Sequence, residues 1–261
     1  MAPSNTDHED TRRNVEGGLK SVVAALDLLD CFRDAESLGV TDVARRLGIG
    51  KSSAHRLLTS LCDRGYAVRD PRSGRYQLGL HVYELGQLAI GRSQIRQRAM
   101  PILEDLRRRT GFTIHLAVPE RANIIYVERL HAPGRFRQMA NVNYCLPAHL
   151  TSSGKAIAAF NPRVAQERRM AGFPAMTTAS IHDVALFDAV LDDVRRRGFA
   201  VNDEEVMTGM TAVAAPVCDR SGVAQAAISL VATADELHDR VDSPGRLVVA
   251  AATKLAQAVN F

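Results

Sequence analysis

Residues 39–78, GVTDVARRLGIGKSSAHRLLTSLCDRGYAVRDPRSGRYQL, decide the fold. Thr41 is a good N-cap residue, and Val43, Ala44 and Leu47 give the helix it would open an apolar edge. Gly48-Ile49-Gly50 breaks that helix, because glycine enters left-handed turn geometry without steric cost. A second helix is predicted over 51–64, with Ala54, Leu57, Leu58 and Leu61 at i, i+3, i+4 and i+7 on one buried face. Its opposite face carries Ser52, His55, Arg56 and Thr59, and the one acid near it is Asp63 at the far end. Residues 66–69 and 75–78 are extended runs joined by Asp70-Pro71-Arg72-Ser73-Gly74, which is hairpin chemistry. Two helices about a glycine turn, then a hairpin, predict a winged helix-turn-helix whose second helix enters the major groove of DNA.

The local charge agrees. Between residues 39 and 80, eight Lys or Arg oppose three Asp. Arg69, Arg72 and Arg75 fall on the wing, where phosphates or a minor groove would be met. Arg56 and His55 are the expected base readers, since arginine bonds guanine bidentately. Ser52, Ser53 and Thr59 would contact bases or phosphates, Lys51 would add salt-dependent affinity, and Thr41 completes the DNA-facing set. A Walker phosphate loop is excluded: the glycine it needs five residues before the Gly50-Lys51 pair is Arg45. A merely solvated basic subdomain would not combine turn, buried face, polar face and basic wing.

The whole chain has 261 residues, 46% of them hydrophobic and 24% charged, enough for one large or two modest domains. Its net charge of +4 suits a nucleic-acid partner only because of the clustering above. Cys31, Cys62, Cys145 and Cys218 form no CxxC pair, so neither a zinc ribbon nor a disulfide framework is expected, and a reducing cytoplasm is the expected location. No apolar run approaches membrane-spanning length, and the polar start lacks a signal-peptide core.

The expected organisation is a mobile tail over 1–16, the winged domain over 17–79, a linker helix over 80–95 and a second domain over 96–261. Leu19, Val22, Val23, Leu26, Leu29 and Phe32 form a helical stripe that should pack behind the two DNA-facing helices. Leu80, Val82, Leu85, Leu88 and Ala89 form a stripe too wide for a solvated linker, and a second copy of the chain is its natural partner. Pro101 is expected to end or kink a helix before another runs to Thr110. From Phe112 the period becomes two: 112–120, 123–130 and 136–142 read as strands, with a turn at 131–135. Helices come next over 153–160, 163–170 and 184–197, then a short extended run at 199–202. A strand pair turns at Asp219-Arg220-Ser221-Gly222, and a helix over 247–259 closes the chain. Paired strands with helices between and after them predict an α+β domain on an antiparallel sheet.

Two segments of this half can carry chemistry. In LPAHLTSSGKAIAAF, residues 146–160, Thr151, Ser152, Ser153 and Gly154 stand at a helix start, where free N–H groups and hydroxyls suit a carboxylate; simple N-capping explains them equally well. In residues 198–217, Asp203, Glu204 and Glu205 read as a solvated loop face. Ser152-Ser153-Gly154-Lys155 matches the Ser-x-x-Lys of serine β-lactamases, but no SDN-like or KTG-like element is present downstream, and Lys155 is expected on the helix surface. The eight histidines form no HExxH cluster; His115, His131 and His149 could meet in space, although scattered histidines are more often satisfied by hydrogen bonds. No catalytic, metal or cofactor site is therefore expected. An enzyme with an accessory DNA-binding domain would need a nucleophile–base or metal constellation in 112–261, and none is visible. A winged protein-interaction module is the other rival.

Taken in order, GGLKSVVAALDLLDCF, VTDVARRLGIGKSSAHRLLTSLCDRGY, RYQLG, LPAHLTSSGKAIAAF and GFAVNDEEVMTGMTAVAAPVCDRSG resemble the IclR family of bacterial transcriptional regulators, from Gly18 to the C-terminus. The resemblance implies a winged helix-turn-helix, a linker helix and a GAF-like effector domain. It further implies dimers or dimers of dimers on palindromic operators, often as repressors of catabolic operons, answering to small organic carboxylates or aromatic acids. It places the effector pocket at Leu146, at Ser152, Ser153 and Gly154, and at Asn202, Ala212 and Ser229. Some members carry aspartate at the position of Asn202 and cysteine or another polar group at that of Ala212. An amide and a methyl make this pocket less polar, while the two adjacent serines at the helix start favour an anionic or hydroxyl-rich group; together they point to an organic acid with an apolar body.

Overall fold

The computed structural model describes residues 19–132 and 144–259. The expected tail, the run at 136–142 and most of the turn at 131–135 lie outside the described residues. The chain divides into two compact units, up to residue 89 and from residue 90 onward.

The first unit runs α1 (Lys20–Asp30), a 3-10 turn (Cys31–Asp34), α2 (Val40–Leu47), α3 (Lys51–Asp63), the hairpin β1 (Ala67–Arg69) and β2 (Tyr76–Leu78), and α4 (Leu80–Gly91). Its core gathers Leu28, Phe32, Leu38, Val43, Ala44, Ala54, Leu58 and Tyr76. Fully burying a leucine such as Leu58 stabilises the unit by about 1.5–3 kcal/mol. Gly48, at φ 64°, ends α2 in the left-handed conformation and turns the chain into α3.

Three local expectations change in this unit. The N-cap of α2 is Gly39 rather than Thr41, because the Asp42 carboxylate reaches back to accept the Gly39 N–H at 3.0 Å. Thr41 therefore lies exposed within the first turn. The stripe on α1 does not pack as expected: Leu28 and Phe32 are buried, whereas Leu19, Val22, Val23 and Leu26 face outward. The third concerns α4, which ends at Gly91 instead of running to residue 95 and buries none of its residues.

The second unit opens with α5 (Gln94–Thr110), which starts where Ser93 Oγ accepts the Arg96 N–H. Pro101 lies inside α5 with its ring at the surface, so the helix break falls at 92–93 and not at the proline. An exposed proline here removes one helical hydrogen bond, and the buried residues Ala99, Ile102, Leu103 and Leu106 hold the helix against the sheet.

The sheet has six antiparallel strands in the order β5-β4-β3-β8-β7-β6. They are β3 (Thr113–Glu120), β4 (Asn123–Leu130), β5 (Cys145–Pro147), β6 (Ala200–Asp203), β7 (Met210–Cys218) and β8 (Ala224–Thr233). Between them lie α6 (Ser152–Phe160), α7 (Pro162–Met170) and α8 (Val184–Arg197); α9 (Ala234–Leu237) and α10 (Asp242–Val259) come after, the last starting five residues earlier than its apolar pattern. Because alternate strand residues point to opposite faces, Ile114, Leu116, Val213, Ile228 and Leu230 pack against α5 and α10. Ala117, Tyr126, Ala214 and Ala227 meet α6 and α8 on the other face. This is an α+β domain with helices on both faces of an antiparallel sheet.

α6 presses closely on its neighbours. A Cβ on Gly154 would lie 2.3 Å from the Ala148 carbonyl oxygen, so glycine alone fits there. The eight residues from Ser152 to Ala159 are all buried.

Candidate functional site

The residues of α3 expected to face DNA point into solvent. Lys51, Ser52, Ser53, His55, Arg56 and Thr59 are all exposed, because Ala54 and Leu58 turn inward and fix the helix rotation. The basic wing is less uniform. Asp70 organises its turn, accepting from the Ser73 hydroxyl and, at 2.9 Å, from the Arg72 N–H, which holds its carboxyl below the usual range. Arg72 extends from that turn into solvent. Arg69 lies 5.8 Å from the Tyr76 ring centre, with its Nε 3.4 Å from the Gly74 carbonyl. Arg75 is engaged within the protein: it donates to Ser37 Oγ (2.9 Å), to the Ser37 carbonyl (2.8 Å) and to Asp42 (3.2 Å). Leu38 and Tyr76 exchange backbone hydrogen bonds beside it, so the wing is tied to the start of α2.

In the second unit, a pocket enclosing about 470 Å³, its open mouth included, lies between the sheet and the start of α6. Of the residues expected there, Leu146, Ser152, Asn202 and Ala212 line it. Ser153, Gly154 and Ser229 are buried nearby but are not part of the lining. The rest of the wall comes from His115, Tyr126, Thr211, Val231 and the apolar side chains of Val206, Met207 and Met210.

The start of α6 leaves donors open. Thr151 is its N-cap and accepts the Gly154 N–H at 2.9 Å, so the capping role expected of this segment falls to Thr151 rather than to a serine. The Ser152 and Ser153 N–H groups come in the first turn, before any helical acceptor is available. Ser153 Oγ faces the Tyr126 hydroxyl without ordinary hydrogen-bond geometry. Asn202 Oδ1 accepts the Glu205 N–H at 3.0 Å, which leaves its amide nitrogen for the cavity.

Two titratable residues line the pocket, and both are uncharged. His115 is 1% exposed, neither ring nitrogen has a partner among the described residues, and its ring meets Tyr126 edge-on at 4.7 Å. Burial, reinforced by the positive Arg129, pushes its pKa down to about 3. Burial pushes the Tyr126 phenol up to about 12. His149 does not join His115; it bonds the Pro174 carbonyl at 3.1 Å.

Lys155 and Glu205 correct the surface positions expected for them. Both are buried and form an ion pair between α6 and the loop after β6. Burial lowers the Lys155 pKa and raises that of Glu205, each partner opposing the shift of the other. α6 is apolar or small-residued all round, so it has no polar face to carry a lysine outward. The loop is held further by Thr177 and Ser180, whose hydroxyls donate to the Glu204 and Glu205 carbonyls at 2.8 Å each. That anchorage positions Val206, Met207 and Met210 over the pocket.

Among the described residues, no three His, Cys, Asp or Glu side chains are grouped to hold a metal ion, and no helix is long and apolar enough to cross a membrane. Cys31, Cys62 and Cys218 are half-buried thiols outside any disulfide.

Residues 21–71 match the IclR helix-turn-helix domain, and residues 87–258 match the bacterial transcriptional regulator IclR C-terminal domain. The chain belongs to the IclR family. It is a DNA-binding transcriptional regulator with a small-molecule effector domain, like the other IclR proteins it resembles. The glycerol operon regulatory protein of Streptomyces coelicolor is 32% identical over 248 residues, 95% of this chain and 96% of its own. The regulator XynR of Escherichia coli is 32% identical over 227 residues, covering 86% and 88%. Among solved structures, an IclR homolog of Microbacterium hydrocarbonoxydans complexed with 4-hydroxybenzoate superimposes with a TM-score of 0.73 at 25% identity, covering 92% of this chain and 98% of that one. The IclR regulator of Alicyclobacillus acidocaldarius gives 0.77 at 24%, covering 94% and 100%.

Proposed function

We propose that this regulator is a repressor that binds a palindromic operator as a homodimer or dimer of dimers and is released or reseated by a small organic acid. The observation that carries the reading is the exposed face of α3, whose polar side chains are turned outward by the burial of Ala54 and Leu58. In this reading Arg56 and His55 meet base edges, while Lys51, Ser52, Ser53 and Thr59 meet bases or phosphates. Arg69 and Arg72 meet the backbone from the wing, with Arg75 fixing the wing in place. The outward apolar residues Leu19, Val22, Val23 and Leu26 of α1, and Leu80, Tyr83, Leu85 and Leu88 of α4, support a second copy as partner. The pocket at the start of α6 is the effector site, with a carboxylate at Ser152 and an apolar body against Met207, Met210 and Val231. The 4-hydroxybenzoate held by the Microbacterium homolog supports an aromatic or similarly sized acid. The effector shifts DNA affinity only through unequal affinity for the operator-bound and free arrangements.

A salt-dependent gel shift on the DNA upstream of its own gene tests the reading, with a panel of small acids as releasing agents. Ser152→Leu should keep operator affinity near the wild-type value and abolish release. A variant that responds to acids like the wild type removes this pocket, and a chain that ignores DNA at low salt removes the whole reading.

A further inference from the structure

His115 is a polar group of the pocket that an organic acid with an apolar body does not account for. His115 is 1% exposed and lines the cavity, yet both of its ring nitrogens lack a partner among the described residues. A buried polar atom left unsatisfied destabilises the empty state, so the site is incomplete until something bonds it. The strand register places His115 on β3 opposite Ser229 of β8, whose Oγ also lacks a partner, and the edge of Tyr126 packs on the imidazole.

Among the described residues, no acid, lysine or arginine lines the cavity. The nearest buried cation on α6, Lys155, is already neutralised by Glu205. A ligand can therefore place one negative charge at the open N–H groups of α6. A second anionic group would meet an uncharged imidazole, with the Arg129 guanidinium held over the Tyr126 ring at 4.8 Å and not part of the lining.

We propose that His115 is the specificity-determining group of this pocket: it takes a neutral hydroxyl of a ligand whose single carboxylate sits at the start of α6, so the site selects hydroxy-monocarboxylates over hydroxyl-free acids and over dicarboxylates. A hydroxyl both donates and accepts, so it satisfies whichever His115 nitrogen faces it. A methyl in its place leaves that nitrogen unpaired, and a site built to bond a hydroxyl discriminates strongly against its absence. The neutrality of His115 is a consequence of its depressed pKa of about 3. At neutral pH the imidazole therefore carries no charge to meet a second carboxylate.

The inference rests on the effector-pocket reading above, and its test separates the two. Full-length protein is titrated calorimetrically with 4-hydroxybenzoate, 4-methylbenzoate and terephthalate, which share a ring and one carboxylate and differ in the opposite substituent. The hydroxy acid should bind at least about tenfold more tightly than the methyl acid, and terephthalate about a hundredfold more weakly than the hydroxy acid. His115→Phe should erase the tenfold preference while still shifting the operator, and His115→Gln, which keeps a donor and an acceptor, should retain it. A preference that survives in His115→Phe overturns the inference, as does terephthalate binding as tightly as the hydroxy acid. If the wild type shifts its operator but binds none of the three, the inference fails and the regulator reading stands. Should His115→Phe not fold, the wild-type ranking of the three acids and the Gln variant still decide the matter.

Discussion

Two helix starts in this protein are spelled alike. α3 opens Lys51-Ser52-Ser53 and α6 opens Ser152-Ser153-Gly154-Lys155. On α3 the lysine and both serines are exposed, whereas on α6 all of these side chains are buried. The difference comes from the residues further along each helix. In α3, Ala54, Leu57, Leu58 and Leu61 supply one apolar stripe, and a helix with one stripe must show its other side to water. In α6, Ala156, Ile157, Ala158 and Ala159 are apolar all round, and glycine at 154 lets the backbone press on Ala148. One start is therefore an exposed surface, the one proposed to meet DNA, and the other is part of the wall of a buried pocket. Residue type alone does not separate them; the periodicity behind it does.

The buried start should break hardest. Replacing Lys155 with Met leaves Glu205 buried without its cation, and breaking such a pair costs about 3–5 kcal/mol. Urea unfolding of the full-length protein should show this loss in the transition of the second unit. The double variant Lys155→Met with Glu205→Leu should recover most of it, because two apolar residues leave no unpaired charge. A single variant as stable as the wild type would mean that the pair is dispensable and that the two lysines differ less than their burial implies.

Legibility in the sequence divides along the same line. The winged domain was legible because turn glycines, a periodic apolar stripe and a hairpin all act within forty residues. The pattern of paired strands and helices in the second half was legible for the same local reason. The pocket was legible only in part: Ser152 was marked by the helix start itself, and Leu146, Asn202 and Ala212 came from the family resemblance. His115, Tyr126 and the Met207–Met210 wall depend on strand register, which joins His115 to Ser229 across more than a hundred residues of chain. The Lys155–Glu205 pair spans 50 residues, and no local period encodes it. Asp42 displaced Thr41 as the determinant of the α2 start because a carboxylate three residues in does the work of a capping hydroxyl. The outward stripe on α1 misled because an apolar face signals a partner without saying whether that partner is in the same chain.

The exposed start should behave in the opposite way, changing binding and leaving the fold alone. Arg56→Ala should alter unfolding stability by no more than about 0.5 kcal/mol. It should weaken binding to the preferred operator by about 1–3 kcal/mol and flatten discrimination at one base position. Lys51→Ala should weaken all DNA sequences alike and reduce the slope of log affinity against log salt by about one. Footprinting and salt titration separate the two. An Arg56→Ala footprint identical to the wild type would move the reading face elsewhere on α3.

The smallest expected effects distinguish two arginines three residues apart on the wing. Arg72 extends from the turn into solvent, while Arg75 donates three hydrogen bonds to Ser37 and Asp42. If that difference sets their roles, Arg72→Ala should leave stability unchanged and lower the salt slope by about one, as loss of a phosphate contact does. Arg75→Ala should leave the slope near the wild-type value and cost about 0.5–1.5 kcal/mol of stability in the winged unit, the net worth of bonds made largely at the surface. The Asp42 carboxyl, held below the usual range first by the Gly39 N–H and then by Arg75, should rise towards its ordinary value in that variant. An Arg75→Ala protein with full stability and a reduced salt slope would show that the guanidinium leaves Ser37 and Asp42 for a phosphate when DNA is present. Arg75 would then belong with the DNA-facing residues, and the anchorage of the wing would rest on the Leu38–Tyr76 bridge alone.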